Sequence, residues 1–124
     1  MNDEAAHESL PADAHTDAAA AFVDRARSRH GDEITELYVF GSTVHGDAHG
    51  RSSDVDVLVV LGDDTKTDRE TIADSLRDIA LDVMIEYGPV VELHILSEAT
   101  FERYQREGNP FIRNVVTEGR SYAC

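Results

Sequence analysis

Two acids one residue apart, Asp54 and Asp56, open the apolar run Asp54-Val55-Asp56-Val57-Leu58-Val59-Val60-Leu61, and the pair Gly41-Ser42 closes an earlier one, Ile34 to Phe40. Side chains at i and i+2 of a strand share a face, so this spacing predicts that Asp54 and Asp56 lie side by side. Two carboxylates at the head of a buried strand repel each other and resist desolvation. A divalent cation removes both costs. Hard cations such as Mg2+ take oxygen ligands, commonly one or two carboxylates together with substrate phosphates. Gly41 permits close backbone approach to a ligand, amides at a helix start favour anions, and the Ser42 hydroxyl can donate to a phosphate oxygen. Each pair alone has an ordinary explanation, since Gly-Ser makes turns and Asp pairs cap strands. Together, across one polar loop between two apolar strands, they point to phosphate and metal chemistry.

The elements that must hold these residues can be read from periodicity. Residues 1 to 16 are acidic, contain Pro11, and read as a mobile tail. Thr16 or Asp17 can cap a helix carrying Ala19, Phe22, Val23 and Ala26 at helical spacing, with Gly31 as its stop. The strand Ile34 to Phe40 follows, then a short helical turn over Ser42 to His45 and a loop over Gly46 to Ser53. Asp54 to Leu61 is a valine-rich strand bounded by Gly62-Asp63-Asp64. Thr67 or Asp68 caps a helix with the stripe Ile72, Leu76, Ile79, Ala80 and Val83, which ends at Gly88-Pro89. A third strand runs from Val90 to Leu96. Ser97 caps a short helix with Phe101 and Tyr104, and Asn109-Pro110 start another with Phe111, Ile112, Val115 and Val116 inward and Gly119 as its stop. The order α-β-β-α-β-α-α predicts one small α/β (α+β) domain over residues 17–124. Roughly a dozen residues between the first two strands are compatible with either a short parallel crossover or an antiparallel connection.

A chain of 124 residues with 41% apolar content is enough for one core. It has no apolar run of the roughly 20 residues needed to span a bilayer, and its acidic N-terminus is not a secretory signal. The one cysteine is Cys124, which rules out an internal disulfide or a cysteine metal cluster. A cytoplasmic location is the natural reading. There are 25 acidic against 11 basic residues, a net charge of −14, and Lys66 is the sole lysine. The excess of acid reads as adaptation to a high-salt cell, a halophilic archaeon, where a Debye length of about 3 Å at molar salt quiets self-repulsion. It also argues against direct nucleic-acid binding, which needs a basic footprint.

Gly41-Ser42, the loop Thr43 to Ser53, and Asp54-Val55-Asp56 together resemble the fingerprint of the nucleotidyltransferase superfamily of the DNA polymerase beta type: Gly-Ser, a loop of roughly ten residues, then Asp-x-Asp. The nearest likeness is to its minimal single-domain members. The resemblance implies a nucleotidyltransferase fold, a small mixed sheet with helices packed on one side. It implies transfer of a nucleoside monophosphate from an NTP, AMP from ATP, to a hydroxyl or phosphate with release of pyrophosphate. Carried over by position, Gly41 and Ser42 would hold the β and γ phosphates and Asp54 and Asp56 would hold Mg2+, with two ions as an option. Arg51 lies close enough in sequence to serve the triphosphate. His45 stands where many relatives have an arginine. Active relatives place a third acid on a neighbouring strand, and Glu92 is the candidate here, one methylene longer than the usual aspartate. His94 shares its face and is either a structural histidine or a further donor.

Small members of this superfamily are often encoded beside a helical partner of the HEPN ribonuclease class, in pairs resembling toxin–antitoxin systems. The resemblance therefore implies a partner protein as acceptor and an antitoxin role. Two alternatives stand beside it: a non-catalytic antitoxin or nucleotide-binding module that sequesters such a partner, and transfer to a small molecule.

Overall fold

The computed structural model describes residues 12–40, 54–63 and 68–122, with the side chains of 12–14 and 54 left aside. Gly41, Ser42, His45, Arg51 and the turn expected over Ser42 to His45 lie outside the described residues.

Helix α1 (Ala12–His30) begins within the stretch expected to be tail rather than at a Thr16–Asp17 cap. The buried face explains the earlier start. His15 is 2% exposed and continues the stripe of Ala18, Ala19, Phe22, Val23 and Ala26 by one turn toward the N-terminus. Strand β1 (Ile34–Phe40) pairs antiparallel with β2 (Asp54–Leu61), which settles the connection left open by loop length. An irregularity between Ile34 and Glu36 adds one residue to β1, so Ile34 and Leu37, three apart, reach the same core.

Helix α2 (Arg69–Tyr87) crosses over the sheet and returns the chain into β3 (Val90–Ser97), parallel to β2. The Asp68 carboxylate accepts from the Thr71 amide at 3.3 Å and caps its start. Gly88, at φ 105°, turns the chain out of α2 in a conformation that side chains disfavour. Ser97 accepts from the Thr100 amide at 3.1 Å and starts α3 (Glu98–Arg106). Asn109 accepts from the amides of Phe111 and Ile112 at 2.9 and 3.2 Å, and Pro110 opens α4 (Pro110–Glu118). A two-residue strand, β4 (Arg120–Ser121), then pairs antiparallel with Val39 and Tyr38 of β1. The sheet order is β3-β2-β1-β4.

Helices cover both faces of this mixed sheet, not one. On one face, Leu37, Val39, Val55, Val57 and Val59 join α1 and α2 in a core. On the other, Tyr38, Leu58 and Val60 pack with Phe101 of α3 and with Ile112 and Val115 of α4. Consecutive positions Val57, Leu58, Val59 and Val60 are all 0% exposed, as a strand sandwiched between two helical layers requires. Beyond the core, Arg25 and Glu86 tie α1 to α2 through an exposed ion pair at 2.8 Å, and His30 Nε2 lies 2.7 Å from Ser75 Oγ. Among the described residues no helix is long and apolar enough to cross a membrane.

Candidate functional site

The site grows out of the second core at one end of the sheet. Along β2, positions 56, 58 and 60 alternate onto the face covered by α3 and α4, and Leu58 and Val60 are buried there. Asp56 is therefore the residue at which that apolar row ends. Its register fixes its neighbours: Phe40 of β1 on one flank and Glu92 of β3 on the other. His94, two residues past Glu92, returns to the same face opposite Leu58.

One ligand atom from each of Asp56, Glu92 and His94 lies within 4.8 Å of the other two. Asp56 and His94 are half-buried and Glu92 is exposed. Thus the structure brings Glu92, expected as the third acid, beside Asp56, and it adds an imidazole to the same cluster. Asp54 occupies the first position of β2, opposite Val90 of β3. Asp63 is exposed after the far end of β2 and takes no part.

Two aromatic rings pack against the histidine of this cluster. The His94 ring lies 5.9 Å from Phe40 and 5.2 Å from Phe111, and the two phenyl rings meet edge to face at 5.6 Å. Sequence reasoning did not connect Phe40 or Phe111 with the site. It placed Phe111 and Val116 inward with Ile112 and Val115, whereas both remain 39% exposed. The Asn109-Pro110 cap fixes where α4 starts, but nothing local ties Phe111 to the site. Tyr104 and Tyr122 pack partly buried against the two cores, as side chains used for packing should.

Chemically, two carboxylates and an imidazole converging on one point suit a divalent cation, because each oxygen or nitrogen then finds a positive partner. A carboxylate of this cluster can also accept a proton.

The family model for the nucleotidyltransferase domain matches residues 20–122. A Methanocaldococcus jannaschii protein named "Putative protein adenylyltransferase" is 30% identical over 99 residues, which is 80% of this chain and 88% of that protein. A chain in a crystal structure of a toxin-antitoxin with AMP-PNP superposes with a TM-score of 0.52 at 19% identity, over 83% of this chain and 72% of that one, and shares its fold.

Proposed function

The chain belongs to the nucleotidyltransferase domain family, and from that premise we propose that it moves AMP from ATP to a side-chain hydroxyl of a partner protein. In this reaction the acceptor oxygen bonds to the α-phosphorus, the bond from that phosphorus to the bridging oxygen breaks, and pyrophosphate leaves. The observation that carries the reading is the convergence of Asp56 and Glu92 across the β2–β3 pairing. Their oxygens fit the donor set of a hard divalent cation such as Mg2+, and the Asp-x-Asp motif supports Asp54 as a further ligand. A cation held there supplies charge neutralisation to the phosphates.

The remaining steps belong to the chain's own groups. Glu92, the exposed acid, takes the acceptor proton on a carboxylate oxygen as the oxygen attacks. Gly41 and Ser42 cradle the β and γ phosphates through a backbone amide and a hydroxyl, and Arg51 offsets triphosphate charge. Asp56 is half-buried, which limits the freedom its carboxylate has to turn into solvent. A protein acceptor is supported by the name of the Methanocaldococcus jannaschii relative. A helical ribonuclease of the HEPN class is the partner, with the chain acting as its antitoxin.

The test is incubation of the purified chain with Mg2+, the co-encoded helical partner and ATP labelled at the α-phosphorus, at high salt. Label should appear on the partner, should be absent with γ-labelled ATP, and should vanish when Asp54→Asn and Asp56→Asn are combined. Silencing of the nuclease that survives both changes would instead establish a sequestering module.

A further inference from the structure

We propose that His94 completes a mixed carboxylate–imidazole donor set with Asp56 and Glu92, which binds a first-row transition cation, Mn2+ or Co2+, more tightly than it binds Mg2+. The inference rests on the reading of Asp56 and Glu92 as a cation site and specifies which cation that site prefers. Three observations carry it. First, His94 contributes a ring nitrogen to the same cluster in which each acid contributes an oxygen, all within 4.8 Å. A histidine serving only to fill space has no need to present a nitrogen to two acids. Second, the backbone sets this convergence. Glu92 and His94 alternate onto one face of β3, and the parallel register puts Asp56 directly beside Glu92. Third, the ring packs against Phe40 and Phe111, with centroids 5.9 and 5.2 Å away. A ligand whose orientation is fixed before binding loses less freedom on binding.

The preference follows from ligand chemistry. Mg2+ demands oxygen donors and gives up its waters reluctantly. Imidazole suits Mn2+, Co2+ and the later first-row ions, and affinity for a nitrogen-containing set rises along that series. An aspartate in place of His94 would give an all-oxygen set, along which that rise is shallower. His94 therefore changes the ordering of cations without removing Mg2+ from the list.

Binding can be read without turnover. The full chain, free of nucleotide and at high salt, is titrated with Mg2+, Mn2+ and Co2+ by calorimetry, and the visible spectrum of the Co2+ form is recorded. Wild type should bind Co2+ on the order of tenfold or more tightly than Mg2+. His94→Phe keeps a ring against Phe40 and Phe111 but has no nitrogen. It should weaken Co2+ on the order of tenfold or more, leave Mg2+ within about threefold, and shift the Co2+ spectrum to that of an all-oxygen site. His94→Asn, smaller and polar, should do the same, so a packing defect in one variant does not decide the matter. In the wild type itself, a ring N–H resonance of His94 should move far downfield on Co2+ binding. Unchanged Co2+ affinity and spectrum in both variants would overturn the proposal and leave His94 a packing residue. Loss of neither cation in Asp56→Asn or Glu92→Gln would instead overturn the cation site itself.

Discussion

Glu92→Gln should make the metal-free protein more stable and the metal-loaded protein less stable than wild type. Asp56 and Glu92 bring like charges within 4.8 Å. In water that repulsion amounts to about 0.9 kcal/mol, and the exposure of Glu92 makes the aqueous figure the right one. Screening with a Debye length of about 10 Å at 0.1 M salt leaves about 0.5 kcal/mol, and about 3 Å at 1 M leaves about 0.2 kcal/mol. For a domain of this size the first corresponds to a rise in melting midpoint of about 2 °C and the second to less than about 1 °C. With a cation at about 100 times its dissociation constant, wild type gains about 2.7 kcal/mol, or about 10 °C. If loss of the ligand weakens binding about 100-fold, the variant gains about 0.4 kcal/mol from the same cation. The two melting curves should therefore exchange order between chelator and cation. Scanning calorimetry at the two salt concentrations, with EDTA or Mn2+, reads all of this. An equal cation-induced rise in both proteins, or a lower chelated midpoint for Glu92→Gln, would refute the reasoning.

Two further outcomes are expected. The Tyr38 hydroxyl is held above the ordinary phenol value of 10.0, first by burial and then by the neighbouring Glu36 carboxylate. The folded chain keeps that proton where the unfolded chain loses it, so its stability contribution is intact below pH 10.0 and falls as pH rises through the folded value; Tyr38→Phe should flatten this alkaline loss in a series of melting curves. Asn109→Ala deprives the Phe111 and Ile112 amides of their acceptor and should cost about 1 kcal/mol in urea denaturation, with Asn109→Asp restoring most of it.

Where local chemistry dictated structure, the sequence was readable. Asp68, Ser97 and Asn109 each cap the helix their side chains suggested, and Gly88 ends α2 because its φ suits glycine. The two-sided burial of β2 was also encoded, in the unbroken run Val57-Leu58-Val59-Val60, but the likeness to relatives pointed toward helices on one side. Helix α1 started earlier than expected because a buried histidine, His15, stands where an apolar residue would have extended the pattern. Strand β4 has two exposed residues and no periodicity; only its pairing with Tyr38 and Val39 makes it a strand. At the site, Asp56 and Glu92 could be named from residue type and strand phase. Their adjacency depended on a parallel register set by α2 and the length of its connections, which composition does not carry. The Phe40 and Phe111 contacts with His94 join three distant stretches of chain, and no local signal links them.

The sheet order has a mechanical consequence for the cation. Strand β2 is bonded on both flanks, while β3 has a neighbour on one flank only among the described residues. Asp56 thus rides on clamped backbone, and Glu92 and His94 ride on a border that opens more cheaply. An ion gripped across the seam would rivet that border in place, slowing amide exchange along residues 90–97 more than along 54–61. The coupling runs both ways. A partner segment that zips onto the outer margin of β3 would stiffen the soft half of the grip and tighten ion capture without touching a single donor.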